Sequence, residues 1–161
     1  MKKREIKKYS MDTVLVWAST ILKNHYNCEV RKIRYIGGGY FGYVYCAEID
    51  KEPYKLIIKA CLSPDMCENE ARDLALLGDG CPVPVPKVYF TYAETKDIPM
   101  DFICMEYMQG RDALSAFNTV KLAFVSKKRK QKFTDDIVTA MGVWHSKTND
   151  KFGLTGNAVF D

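Results

Sequence analysis

The chain has 161 residues, 47% of them hydrophobic and 27% charged, with a formal net charge of +4. That composition suits one packed domain rather than a disordered chain, and no apolar run of about eighteen residues is present to cross a bilayer as a helix. Charge is local: Lys2, Lys3, Arg4, Lys7 and Lys8 against Glu5 leave residues 1–8 at +4, so the remaining chain is neutral overall, despite a second basic run, KKRKQK, at 127–132.

In chain order, Asp12 is expected to cap a helix running to about Tyr26, with Val14, Leu15, Trp17, Ala18, Ile21 and Leu22 as its apolar stripe. The period then changes. VRKIRYI (30–36), YVYCAEI (43–49) and YKLIIKACL (54–62) read as three strands of an antiparallel meander, with DKEP as the second turn. Ser63-Pro64 predicts a helix start, with a hydroxyl cap and proline in the first helical position. That helix carries Glu68 and Glu70 and stops at Gly78-Asp79-Gly80. CPVPVPK (81–87) is extended, because proline excludes helix for itself and its predecessor. KVYFTYAE (87–94) and MDFICMEYM (100–108) form a strand pair, followed by a short helix near 112–117 and a longer one over 121–146. Ile137, Val138, Met141 and Trp144 supply an apolar face of the last helix. Five antiparallel strands interrupted once by a helix, between the third and fourth, make an α+β pattern.

The six cysteines contain no CxxC pair, and their spacings do not match zinc knuckles. Cys46 and Cys104 lie in apolar strand-like runs and read as buried free thiols. A reducing compartment is expected rather than a disulfide framework. No apolar signal core follows the basic N-terminus, so a cytoplasmic location is the default expectation. Neither basic run has the interleaved aromatics of a nucleic-acid groove, so nucleic acid is not an expected partner.

The sharpest motif is GGGYFGYV at 37–44, which fits G-x-G-x-x-G-x-V with Gly37, Gly39, Gly42 and Val44. In a dinucleotide fold such a motif opens a helix. Here it lies between two strands, the arrangement in which backbone N–H groups close over nucleotide phosphates. Lys59 ends the apolar run LIIK on the third strand, and Glu70 follows eleven residues later on the next helix, within reach to pair with it. Glu68 is two positions away, roughly 200° round the same helix, and is the weaker candidate. FICMEYMQG at 102–110 ends an apolar strand in Met-Glu-Tyr-Met.

Taken in order, IGGGYFGYVY, LIIKA, ENEARDLALL, VPVPKVYF, FICMEYMQG and MGVWHS resemble the N-terminal part of the aminoglycoside phosphotransferase-like superfamily, which includes choline and fructosamine kinases. The resemblance covers roughly residues 30–156. It implies a protein-kinase-like N-terminal lobe at 30–108, preceded by a basic tail and helix at 1–29. Residues 109–161 would then be the hinge continuation and the start of an incomplete second lobe. It implies ATP as ligand, with Gly37, Gly38, Gly39, Tyr40, Phe41 and Gly42 covering the phosphates and Lys59, held by Glu70, contacting them. Ile36, Val44 and Met105 would sandwich adenine, while the Glu106 carbonyl and Met108 amide bond its edge. Phe41 departs from the pattern, since small-molecule kinases often carry Ser or Asn there and protein kinases carry Phe. Protein kinases, however, place H-R-D soon after the equivalent of His145, and none follows within this sequence.

The larger departure is that the family's H-G-D-x-x-x-x-N segment and later metal-binding aspartate do not occur in the 161 residues. A positioned base contributes about 10²–10⁴ in rate. The expectation is therefore an ATP-binding portion, inactive alone, of an enzyme that passes the γ-phosphoryl group to a small-molecule hydroxyl. About another hundred residues would complete it. Magnesium and acceptor would be bound mainly by residues absent from this chain, and the uncovered apolar surface would favour self-association. The alternatives are a protein-kinase lobe or a non-catalytic nucleotide-binding module.

Overall fold

The structure, a computed structural model, describes residues 9–63, 65–110, 125–147, 153–154 and 158–159. The chain opens with helix α1 (Met11–Tyr26), then strands β1 (Val30–Gly39), β2 (Gly42–Ile49) and β3 (Lys55–Cys61). Helix α2 (Met66–Gly78), strands β4 (Val88–Tyr92) and β5 (Asp101–Glu106), and helix α3 (Lys127–His145) follow. A two-stranded pair, β6 (Gly153–Leu154) and β7 (Ala158–Val159), comes last. The fold is α+β, with an open five-stranded antiparallel sheet in the order β1-β2-β3-β5-β4. Among the described residues no helix is long and apolar enough to cross a membrane. The short helix expected near 112–117 lies outside the described residues.

Strand alternation sends side chains to opposite faces, and the two faces have different covers. Leu56, Ile58 and Ala60 of β3, with Phe102 and Cys104 of β5 and Tyr45 of β2, are fully or almost fully buried in one core cluster. Val14, Ala18, Ile21 and Leu22 of α1 cover that face. The intervening residues Ile57 and Cys61 of β3 and Ile103 and Met105 of β5 form a second cluster, under Cys67, Ala71 and Leu74 of α2. Lys59 stands in this second set by register, between Val44 of β2 and Ile103 of β5.

Three helix starts differ from expectation. Ser10, not Asp12, caps α1, its hydroxyl accepting from the Thr13 amide at 3.1 Å, which leaves Asp12 in the first turn. Helix α2 begins at Met66 with Asp65 in the capping position, at φ 61° and with no side-chain cap hydrogen bond. Leu62 and Ser63 bend away from β3 rather than opening the helix, and the proline expected in the first helical position, Pro64, lies outside the described residues. Helix α3 begins at Lys127, where the Ser126 hydroxyl accepts from the Arg129 amide at 3.4 Å. Its expected apolar face is half-open: Ala140 is the buried residue, Trp144 is half-buried, and Ile137, Val138 and Met141 are exposed.

The cysteines bring the main correction. Cys46 and Cys104 are buried free thiols, but Cys61 and Cys67 form a disulfide. The strand end and the first turn of α2 face each other on the same side of the sheet, so two thiols six residues apart meet. With a disulfide present, the cysteines do not indicate a reducing compartment.

Candidate nucleotide-phosphate site

The hairpin between β1 and β2 pairs Gly37 with Val44, Gly38 with Tyr43 and Gly39 with Gly42, and leaves Tyr40 and Phe41 as an exposed tip. A register shift between Tyr35 and Gly37 puts Ile36 out of the ladder. Beneath this hairpin lies a cleft of about 480 Å³ lined by Ile36, Gly37, Gly38, Gly39, Phe41, Gly42, Val44 and Lys59. The cleft is the part of the sheet's second face that α2 leaves uncovered. Its cross-strand row is Gly37, Val44, Lys59 and Ile103.

The glycines divide by what they do. A Cβ on Gly42 would lie 2.0 Å from the Ala60 carbonyl oxygen, so glycine there is demanded by the approach of β2 to β3. A Cβ on Gly37 or Gly39 would meet nothing within 4 Å. Packing gives no reason for glycine at those two positions, and both line the cleft.

Lys59 supplies the positive charge. Its Nζ lies 2.5 Å from Glu70 Oε2, with the two side chains 17% and 28% exposed. The pair fixes the ammonium at the cleft wall, where three N–H donors are shared between Glu70 and whatever enters. Glu68 is exposed and lines a different hollow, beside Thr91 and Asp101. The hairpin tip is tied back to the segment after β3, because the Leu62 amide donates to the Phe41 carbonyl at 3.3 Å.

The remaining expected residues stand apart from the glycine cleft. Met105 is buried, in the α2-side core with Ile103. Glu106 ends β5; its amide donates to the Lys87 carbonyl at 2.8 Å, and its carboxylate accepts from the Lys87 amide at 3.2 Å. Met108 lies beyond the strand and is exposed. The structure thus brings together Ile36, the hairpin glycines, Phe41, Val44 and Lys59 in one hollow, with Glu70 joined through its ion pair. Tyr40, exposed at the hairpin tip, is not among the lining residues.

Two residues at the site escaped sequence reading. Cys61 pairs with Gly42 across the ladder and is bonded to Cys67, so it joins the base of the glycine hairpin to α2. The available signal was positional: one cysteine ends a strand and the other sits in the first turn of the next helix.

The fit to phosphate is good, with a cation and open glycine backbone in one hollow. The fit to magnesium is not. Among the described residues no cluster of three or more His, Cys, Asp or Glu side chains could hold a metal ion. No protein-family model matches the chain, and no curated protein sequence matches it.

Proposed function

We propose that this chain is the nucleotide-holding half of an ATP-dependent phosphotransferase acting on a small-molecule hydroxyl. The observation that carries the reading is the Lys59–Glu70 pair at the wall of the glycine-roofed cleft. A strand lysine aimed by a helix glutamate at a glycine hairpin is a device for holding the α- and β-phosphates of a nucleotide. The unexplained glycines at 37 and 39 support the same use, since a phosphate can approach their backbone closely. Ile36 and Val44 would border the base on its apolar side, with Glu106 at the end of β5 and Met108 just beyond it bonding its edge. The general base, the magnesium ligands and the acceptor site belong to residues other than those described. This polypeptide by itself is expected to bind ATP and not to transfer its phosphoryl group.

The test is an ATP titration followed by amide chemical shifts, with the unaltered chain and a Lys59→Ala form. With half a cleft, the Kd should be about 1 mM, about 4 kcal/mol of binding. Shifts should concentrate at residues 36–44 and 59, and Lys59→Ala should weaken binding about ten-fold, about 1.4 kcal/mol. Equal affinity in the two proteins would sink the reading.

A further inference from the structure

The covalent bond nearest the lysine–glutamate pair has no part in the reading above. Cys61 lies two residues after Lys59 on β3, and Cys67 lies three residues before Glu70 on α2. The disulfide therefore joins the two elements that carry the two halves of the pair. We infer that Cys61–Cys67 is a latch that positions Glu70 on Lys59, so that the disulfide-bonded form is the one that binds nucleotide well. This inference rests on the nucleotide reading of the cleft and adds to it the residues that set its geometry.

Several observations show why α2 depends on such a latch. Cys67 is the single buried residue of α2, so the helix has little core of its own to hold it. Its first turn has no side-chain cap, and the capping residue Asp65 sits in the left-handed region at φ 61°. Uncapped helix starts and left-handed non-glycine residues both disfavour the ordered form. Met66, Ala71 and Leu74 add only partly buried contacts. At its other end α2 is tied to α3: Trp144 Nε1–H donates to the Leu77 carbonyl at 3.0 Å, and Lys147 lies 3.0 Å from Asp79. Loss of the disulfide frees the N-terminal turns while the C-terminal turn stays held, and Glu70 is in the part that is freed. Reduction by a dithiol balances simply. Two electrons and two protons convert the disulfide to two thiols, and the dithiol becomes its own cyclic disulfide. Both cysteines are buried, so reduction requires α2 to lift first, which makes the bond a standing latch rather than a rapid switch.

The experiment has three arms. Intact mass after denaturing alkylation without reductant should show four modified cysteines, corresponding to Cys28, Cys46, Cys81 and Cys104; six would remove the latch outright. ATP titrations then compare the unaltered chain, Cys61→Ala/Cys67→Ala, Glu70→Ala, and all three substitutions together. The cysteine changes should weaken ATP binding about five-fold when Glu70 is present and leave it unchanged when Glu70 is alanine, the coupling expected of neighbours acting through one contact. An equal loss in both backgrounds, or no loss in either, overturns the inference. Should the double variant not fold, dithiothreitol-reduced unaltered chain replaces it. The third arm reads the latch without nucleotide: amide exchange over residues 66–72 should speed up on loss of the disulfide while β2 stays protected. Unchanged exchange overturns the latch. Failure of the unaltered chain to bind ATP, with exchange still accelerated, removes the nucleotide reading and leaves the latch standing.

Discussion

The glycines of the hairpin separate folding from binding at single positions. Gly42 stands at φ 155° with the Ala60 carbonyl oxygen where a Cβ would go, and that oxygen is backbone held in a ladder. Gly42→Ala must push β2 from β3, and overpacking of this kind costs about 1–3 kcal/mol. Gly37 and Gly39 have open space and no left-handed backbone, so alanine there should shift stability by less than about 1 kcal/mol, in the stabilising direction. Urea denaturation of the three variants is expected to show one loss and two small gains. In the ATP titrations Gly37→Ala and Gly39→Ala should bind more weakly despite their undiminished stability, because a methyl group would hold the phosphates off the backbone. Undiminished ATP affinity in both would mean that their glycine character serves no ligand.

At the scale of elements, the two sheet-covering helices are held very differently. Helix α1 drives Val14, Ala18, Ile21 and Leu22 into the core, whereas α2 buries Cys67 and relies on ties at its ends. Trp144→Phe keeps the ring bulk and removes the donor to the Leu77 carbonyl, which should cost about 1 kcal/mol of stability. It should also accelerate amide exchange in the last turn of α2 while α1 is untouched; equal acceleration in both helices would contradict a local tie. This contrast explains what was legible in the sequence. The strands were readable because YVYCAEI and LIIKACL alternate or run apolar between turn residues, and their partners follow from short connections. The choice of Glu70 over Glu68 was readable because helix period puts the two glutamates roughly 200° apart, whereas the approach of α2 to β3 that brings Glu70 to Lys59 came only with the resemblance. The start of α2 was misread because Ser63-Pro64 carries strong local capping chemistry, while a disulfide and a left-handed Asp65 settle where the helix begins. The bond itself could not be read from spacing alone, since it depends on the tertiary approach of β3 to α2. The faces of α3 were readable as a period but not as burial, because burial depends on what packs against Ile137, Val138 and Met141.

The molecule as a whole has the glycine-lined cleft on one face of the sheet and its larger core on the other, and the core face holds three titratable groups whose pKa values are raised. Cys104, at the centre of β5 and fully buried, has its thiol pushed up from 9.0 to about 12 by burial, with the Tyr26 hydroxyl partly offsetting. Tyr45 is likewise pushed from 10.0 to about 12, first by burial, and its hydroxyl donates to the Met11 carbonyl at 2.9 Å, joining β2 to the start of α1. Tyr26 is raised too, chiefly by burial. In each case the folded state holds its proton to higher pH than the unfolded chain. The stabilising contribution is therefore complete below the unfolded value, near 9 for the thiol and 10 for the phenol, and is lost as pH rises through the folded value near 12. Each proton released on unfolding lowers stability by about 1.4 kcal/mol per pH unit within that window. The unfolding free energy should hence be level between about pH 7 and 8.5 with respect to these groups, and fall progressively above about pH 9. Cys104→Val removes the first ionisation at nearly constant volume, and Tyr45→Phe removes the second. Urea unfolding at a series of alkaline pH values should give a shallower decline for each variant and the shallowest for the pair. A decline as steep in the double variant as in the unaltered chain would place the alkaline lability elsewhere than in Cys104 and Tyr45.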